Sequence, residues 1–260
     1  MNFHGVLFRP RRIWLPTFWG CVVLLACAAL LCVGLGRHAY AFLAPNSPAF
    51  EARTLVVEGW LDAADLDQAI AAFRSGRYER VLTTGGPIES WNDSTEWNNF
   101  ADRAAVYLKR HGLTSVPVIP VPAPASAQDR SFLSAVVARD RLQAAGVRVD
   151  AIDLFSAGAH ARRSWLVFRM AFGGEVRVGI MSARPATFDA QRWWTSSNGV
   201  KSVVGELLSL TWTKCCFWPG PRGSHEERWA VPPAAQRMAP PARSQATTSA
   251  DVSDGSASPR

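Results

Sequence analysis

The chain has 260 residues, of which 48% are hydrophobic and 19% are charged, and its formal net charge is +7. The basic residues are spread along the chain rather than gathered into a run interleaved with aromatic residues, which argues against a nucleic acid as partner. The five cysteines form no C-x-x-C motif and no Cys/His spacing typical of zinc, so no metal site is predicted.

The N-terminal part predicts a membrane anchor. Residues 1–12 are basic, and residues 13–36 predict a transmembrane helix, since they carry no charge and can cross about 30 Å of hydrocarbon. The positive-inside rule then predicts a single-pass protein of the inner (plasma) membrane, with a cytoplasmic N-terminus and a periplasmic domain, although Arg37 reduces the charge asymmetry. A cleaved signal peptide is the alternative, but the apolar stretch exceeds the roughly 7–15 residues of a typical h-region.

Residues 37–51 are interpreted as a linker and residues 52–218 as one α/β domain. Apolar runs alternate there with helical patterns, which predicts a Rossmann-like three-layer sandwich with a mostly parallel five-stranded sheet. The prolines at 117 and 120 favour an edge position for the third strand. Residues 219–260 are rich in Pro, Ala and Ser and predict a disordered tail. The predicted strands are 54–58, 80–84, 116–121, 151–155 and 176–181, and the predicted helices are 62–73, 93–110, 130–145, one that begins near residue 160, and 200–212.

An open parallel sheet binds its ligand beyond the carboxyl ends of its strands. At the carboxyl ends of the predicted strands, small residues, which let the backbone approach a ligand closely, recur together with ionisable side chains. The candidate residues at these ends are Glu58, Gly59, Gly85, Gly86, Asp129, Arg130, Ser156 and Gly158.

The segment LFSAGAHARRSWLVF, residues 154–168, combines a strand, a tight turn and the start of a helix. His160, Arg162 and Arg163 fall in the first turn of that helix. Free backbone N–H groups and the helix dipole favour an anion at this end and disfavour cations, so three basic side chains indicate a bound negative group. The alternative is a solvated arginine pair beside a buried helix.

His160 is the candidate acid or base, because imidazole titrates near neutral pH. Asp129 or Glu58 would orient it or abstract a proton. As alternatives, Asp129 caps the helix that follows it and Glu58 pairs with an arginine. Ser156 suggests a nucleophile, but the absence of a G-x-S-x-G elbow argues against a Ser/His/Asp triad.

Four segments resemble the YdcF-like family, which includes SanA and ElyC: LVVEGWL, TTGGP, QDRSFLSA and SAGAHARRS. The resemblance covers about residues 55–212 and implies a Rossmann-like fold behind a membrane anchor, with a role in envelope integrity or in peptidoglycan and lipid-carrier metabolism. The first turn, Glu58-Gly59-Trp60, departs from the family's glycine-rich pattern. Glu96 corresponds to the family's acidic residue after the second glycine turn, while Asp129-Arg130-Ser131 lacks the family's Asn.

We therefore expect an envelope protein that binds or processes an anionic or phosphorylated small molecule or a lipid-linked sugar, with no cofactor assigned. The alternatives are a non-catalytic scaffold with a vestigial pocket or, if the topology is reversed, a cytoplasmic binder of S-adenosylmethionine or a nucleotide. Trp193 and Trp194 are interpreted as a stacking platform or as core and interface residues. The last helix either packs on the sheet or touches the bilayer near the anchor.

Overall fold

The computed structural model describes residues 16–88, 97–126 and 129–229. The basic segment 1–12, the first three residues of the predicted transmembrane helix, the acidic candidate Glu96 and residues 230–260 of the predicted tail lie outside the described residues.

A single sheet of five parallel strands lies at the centre of the fold, in the order β3-β2-β1-β4-β5. The chain builds outwards from β1 to β3 and then crosses to the other side of β1, so that β1 and β4 are neighbours where the direction of winding reverses. The predicted α/β fold is confirmed. The strands are β1 (Thr54–Glu58), β2 (Arg80–Gly85), β3 (Val118–Pro122), β4 (Ala151–Ser156) and β5 (Arg177–Ser182).

Helices cover both faces of the sheet. One apolar cluster joins the sheet to α4 and α5, and a second joins it to α2 and α3. Every residue of β1 and β4 is buried, as expected for strands covered on both faces. The helices are α1 (Phe18–Leu43), α2 (Ala63–Ser75), α3 (Phe100–Arg110), α4 (Arg130–Ala144), α5 (Ala161–Phe172), α6 (Ser197–Cys216) and α7 (His225–Arg228).

The two outer strands differ in how their free edges are treated. β3 is an edge strand, as its prolines predicted, and it carries Pro120 and Pro122 within the paired region. At the opposite edge, Ser47 forms an antiparallel bridge with Ile180 of β5, so the segment that leads into β1 covers part of that edge.

Helix α1 is long and apolar enough to cross a membrane, by its length and composition. It extends past Arg37 into the predicted linker, so the linker prediction is wrong for residues 37–43. The reason is packing, because Ala39 and Leu43 are buried against Ala159 and Val203 of the domain. The last two turns of α1 are thus part of the folded domain.

The folded part also continues beyond residue 218, where the sequence predicted the domain to end. α7 follows a short turn, and its Glu227 is buried. Both carboxylate oxygens of Glu227 accept hydrogen bonds from Arg139 of α4, at 2.6 and 3.0 Å. The composition of residues 219–229 suggested disorder, but this buried ion pair fixes them to α4.

Candidate functional site at the carboxyl ends of the strands

A cavity of about 800 Å³ opens at the carboxyl ends of the strands. Its wall includes residues that follow β1, β2 and β4, the start of α4 and one face of α6. The structure thus brings together, around one space, most of the residues that the sequence predicted. The predicted candidates in the wall are Glu58, Gly85, Gly86, Asp129, Arg130, Gly158, His160 and Arg163.

Glu58 ends β1 at the point where the winding of the sheet reverses. Its carboxylate is buried and accepts hydrogen bonds from the hydroxyls of Ser156, at the end of β4, and Ser164 in α5, the latter at 2.9 Å. Ser156 is therefore a partner of Glu58 rather than a residue of the cavity wall. The alternative that Glu58 pairs with an arginine is wrong, since two hydroxyls hold it instead.

His160 is held in place by a residue that the sequence analysis did not single out. Its Nδ1 lies 2.8 Å from Oε1 of Glu206 in α6, and the Trp60 ring contacts the imidazole edge-on at 4.9 Å. A carboxylate only accepts hydrogen bonds, so the contact with Glu206 assigns the ring proton to Nδ1 and leaves Nε2 as the nitrogen without a partner in the protein. The guanidinium of Arg163, also 2.9 Å from Nδ1, only donates and is then an electrostatic neighbour of the ring rather than its hydrogen-bond partner. Nε2 lies 3.9 Å from Oε1 of Glu58, which is too long for a hydrogen bond.

Arg163 is engaged by two carboxylates. Its Nε donates to Glu206 at 2.9 Å, and its Nη1 lies 3.4 Å from Asp129. Its Nη2 lies 2.9 Å from Nδ1 of His160. Burial alone would raise the pKa of Glu206, but the hydrogen bonds from His160 and Arg163 outweigh it and lower that pKa to about 2. Glu206 is thus a fixed anion that holds both basic side chains.

Asp129 has the capping role that the sequence offered as an alternative. Its Oδ1 accepts from the backbone N–H groups of Ser131 and Phe132, at 2.9 and 3.3 Å, at the start of α4. Its other oxygen faces Arg163. The prediction that Asp129 or Glu58 orients His160 is wrong, because Glu206 occupies that position at Nδ1.

The predicted glycines are explained mainly by packing within the protein. A Cβ on Gly59 would meet the backbone of Phe100 and Thr84, and one on Gly85, which has φ +151°, would lie 2.6 Å from the Cβ of Phe100. Gly59 is not part of the cavity wall. Gly86 differs from these, since a Cβ there would have no neighbour closer than 3.8 Å.

Gly158 makes a close approach to helix α1. A Cβ at this position would lie 2.6 Å from the hydroxyl oxygen of Tyr40 in α1. Tyr40 also contacts Phe188 edge-on, at 5.9 Å between ring centroids, and Phe188 belongs to the cavity wall. The C-terminal end of α1 therefore supports the wall of the cavity.

Arg162 lies outside the cavity, contrary to the prediction. Its guanidinium stacks over the Phe42 ring of α1, 4.1 Å from the centroid, and its Nε donates to the Phe42 carbonyl. Trp193 and Trp194 also face α1. Trp193 donates to the Gly36 carbonyl at 2.9 Å, and Arg37 lies over the Trp194 ring. The interface interpretation of this tryptophan pair is the one that the structure matches.

Two buried polar atoms in the wall have no hydrogen-bond partner. Within the described ranges, Thr84 Oγ1 and His160 Nε2 are the buried side-chain atoms of this kind. An unsatisfied buried polar atom costs on the order of 1–3 kcal/mol. Both belong to residues that line the same cavity, so a ligand group that bonds to either atom would recover part of that cost.

The start of α5 differs from the other helix starts that face the cavity. α2, α3, α4 and α6 each have a side chain that caps the N-terminus, whereas α5 and the 3₁₀ turn before it, Gly158–His160, have no side-chain cap. Ala157, Gly158 and Ala159 line the cavity. The Ala161 N–H is already bonded to the Gly158 carbonyl, and any N–H groups at this helix start that have no such partner are suited to an anion.

A pair of carboxyl groups, Asp62 and Asp65, marks another part of the wall. Asp62 caps α2 by accepting from the backbone N–H of Asp65 at 2.8 Å. Burial, and then repulsion from Asp62, raise the pKa of Asp65 to about 6. Over the residues that the structure covers, no group of three or more His, Cys, Asp or Glu side chains is arranged to hold a metal ion.

No family model matches the chain, and no curated protein matches it. The important residue that the sequence analysis missed is Glu206. One signal could have found it, because Glu206 is the sole acidic residue in the predicted helix 200–212.

Proposed function

We propose that this chain is a membrane-anchored protein that binds an anionic, phosphorylated ligand in the cavity, with His160 placed to accept a proton from a hydroxyl or a water molecule. The observation that carries the proposal is the buried and unpartnered Nε2 of His160, on a ring held through Nδ1 by Glu206. A ring fixed in this way presents one basic nitrogen at a defined position, which is the arrangement of a general base.

The anionic part of the ligand is proposed to bind at the uncapped start of the 158–163 segment. The backbone N–H groups of that turn favour negative charge, and Arg130 and Lys201 belong to the same wall. Arg163 contributes less than the sequence suggested, because Glu206 and Asp129 already neutralise it. Its role in the proposal is to hold Glu206 and hence His160.

His160, the proposed proton acceptor, and Thr84, whose hydroxyl has no partner, line the same cavity wall as Glu58. A ligand that donates to His160 Nε2 and also bonds to Thr84 Oγ1 would satisfy both atoms. The buried carboxylate of Glu58, 3.9 Å from Nε2, would stabilise the imidazolium that forms after proton transfer. The chemistry supported by this arrangement is transfer from, or hydrolysis at, a phosphorylated group.

The cellular setting is also part of the proposal. With α1 as an anchor, the proposed location is the inner membrane, with the N-terminus in the cytoplasm and the domain on the periplasmic side. The resemblance to the YdcF-like family supports a ligand from envelope metabolism, such as a lipid-linked sugar. A C-terminal alkaline phosphatase fusion should then be active and a green fluorescent fusion dark. The reverse pattern would put the domain in the cytoplasm and favour S-adenosylmethionine or a nucleotide.

One observation favours a second candidate, a non-catalytic scaffold. The arginine at the centre of the site has both of its carboxylate partners within the protein, as a structural ion-pair network would. In that case the cavity would have no ligand, and the two unpartnered atoms would be a cost of the packing.

Thermal unfolding of the full chain in detergent, with added phosphate or pyrophosphate, separates the two candidates. A ligand at about 100 times its dissociation constant stabilises the folded state by roughly 2.7 kcal/mol. Arg130→Ala and Lys201→Ala should reduce the rise in melting temperature. Arg162→Ala is the matched control, because this arginine lies outside the cavity, and it should retain the rise.

The same measurement can reject the proposal. If neither anion raises the melting temperature of the folded protein, the anion site is wrong and the scaffold is favoured. Native mass spectrometry of the detergent-solubilised chain provides a second readout, since a co-purified anionic molecule that is present in the Arg162→Ala variant and absent from Lys201→Ala would identify the ligand class.

A further inference from the structure

Helix α6 has an apolar face that nothing in the described part of the chain covers. Val200, Val204, Leu208 and Trp212 follow one another at intervals of four residues, so they share one side of the helix. Their exposed fractions are 38%, 42%, 68% and 51%. A row of large apolar side chains of this kind is unusual on a water-facing helix.

The other side of α6 is buried and carries its polar contacts. Val203 and Leu210 pack into the cluster that contains Ala39 and Leu43 of α1. Between residues 204 and 213 the only charged side chain is Glu206, and it points to His160 in the cavity. The outer face of this stretch is therefore apolar without interruption by charge.

The position of α6 is fixed relative to the membrane helix. The 3₁₀ segment Ala190–Thr195 precedes α6, and within it Trp193 donates to the Gly36 carbonyl of α1. The part of α1 before Gly36, residues 18–35, is 18 residues long and spans about 27 Å at about 1.5 Å per residue, close to the thickness of the hydrocarbon core. Gly36 and Arg37 therefore lie near the lipid headgroups.

The residues near Gly36 and Arg37 include side chains that are typical of a membrane surface. Arg37 lies over the Trp194 ring at 5.7 Å, and Trp194 is partly exposed. Tryptophan and arginine are the side chains that anchor proteins among headgroups. Because the last turns of α1 are helical and packed against the domain, the domain cannot swing away from the surface on a flexible linker.

We propose that the outer face of α6, together with Trp194, lies on the lipid bilayer surface next to α1. The partner is the bilayer itself, which the apolar side chains of Leu208 and Trp212 would contact. The inference depends on α1 crossing the membrane and not on what the cavity binds. It also gives α6 two functions, since the helix that positions His160 is then the one in contact with lipid.

Site-directed spin labelling tests the proposal with the full chain in lipid vesicles. The five cysteines are replaced by serine, and a single nitroxide label is attached in the variants Leu208→Cys and Gln143→Cys. Gln143 is the matched control, since it is an exposed helical position in the last turn of α4, away from the cavity. Collisions with oxygen, which concentrates in lipid, are compared with collisions with a water-soluble nickel chelate.

The expected result is that oxygen collisions exceed nickel collisions at position 208, with the opposite order at position 143. If nickel collisions exceed oxygen collisions at position 208 to the same extent as at position 143, the proposal is overturned. A label at 208 that is shielded from both reagents and shows spin–spin broadening would overturn it as well, and would assign the face to a second copy of the chain. All variants alter exposed or lipid-facing side chains, so loss of folding is not the expected outcome.

Discussion

Glu206 holds His160 through a 2.8 Å contact between side chains 46 residues apart. The histidine comes from the turn after β4, whereas the glutamate comes from α6, a helix that packs outside the sheet. The candidate site is therefore complete only when α6 is docked, and a change that loosens α6 will disturb the imidazole before it affects the sheet.

The first prediction concerns Glu206→Gln. The pKa of Glu206 falls from 4.5 in the unfolded chain to about 2 in the folded protein, so its ionised form stabilises the fold above pH 4.5 and that stabilisation is lost as the pH falls towards 2. The variant should have a free energy of unfolding lower by on the order of 1–3 kcal/mol at pH 7. Urea denaturation followed by tryptophan fluorescence should show that the difference in free energy of unfolding between the variant and the parent becomes smaller below pH 4.5.

Glu51→Gln is the control for this experiment, because Glu51 forms an exposed ion pair with Arg177 and should matter little. An equal loss of stability at pH 7 and pH 3 in Glu206→Gln would contradict the predicted electrostatic origin.

The second prediction concerns Asp65, whose pKa is raised to about 6 from 3.8. Because the folded state prefers the protonated form, ionisation destabilises the protein as the pH rises through this interval. Asp65→Asn should therefore stabilise the chain by about 1–2 kcal/mol at pH 8 and leave it unchanged at pH 4. Thermal unfolding at the two pH values measures the difference.

Asp62→Asn removes the neighbouring charge and should give part of the same gain. If Asp65→Asn is equally or less stable than the parent at pH 8, burial of this carboxyl group has no net cost and the prediction fails.

The third prediction concerns the contact between the cavity wall and α1. Gly158→Ala would put a methyl group 2.6 Å from the Tyr40 hydroxyl oxygen and should destabilise the fold by about 1–3 kcal/mol, as overpacking does. Adding Tyr40→Phe removes the oxygen and should restore most of the loss in melting temperature.

Gly86→Ala is the matched control in the same wall, since its new Cβ would have no neighbour within 3.8 Å. It should leave the melting temperature nearly unchanged. Equal effects of the two glycine substitutions would show that α1 does not pack on Gly158 as described.

The fourth prediction concerns the buried pair between α4 and α7. Glu227→Ala removes the carboxylate that binds Arg139 at 2.6 and 3.0 Å, while Asp140 at 2.9 Å and the Ala171 carbonyl at 2.8 Å remain as partners of the buried guanidinium. The expected loss is therefore about 1–3 kcal/mol, the cost of lost hydrogen bonds to a charged group. Arg228→Ala breaks the exposed contact of α7 with Asp140 and should cost less than about 1 kcal/mol.

Chemical denaturation compares these two variants directly. A loss of less than 1 kcal/mol for Glu227→Ala would mean that residues 219–229 are not fixed to α4, as the composition of this segment had suggested.

Several elements could be predicted closely because local patterns determine them, but the start of α3 was predicted wrongly. The predicted capping residue at 93 lies outside the described residues, and α3 begins at Phe100 with Asn99 as its cap; α6 also extends beyond the predicted 200–212 at both ends. The apolar run of β1 and the periodicity of α4 gave bounds within a residue of the structure. The contacts of the site were harder to predict. Arg162 and Arg163 are adjacent, and consecutive helical residues point about 100° apart, so one faces α1 and the other the cavity. Which of the two faces the cavity depends on where α1 and α6 pack, and periodicity does not contain that information.

The two outer strands limit how copies of this protein can associate. Pro120 and Pro122 remove N–H donors along β3, and Ser47 already occupies part of the free edge of β5. Neither border of the sheet offers an uninterrupted ladder of donors and acceptors to another chain. At high protein concentration the described part of the chain should therefore not polymerise by pairing of sheet edges, which leaves its helical surfaces and loops for contacts between copies.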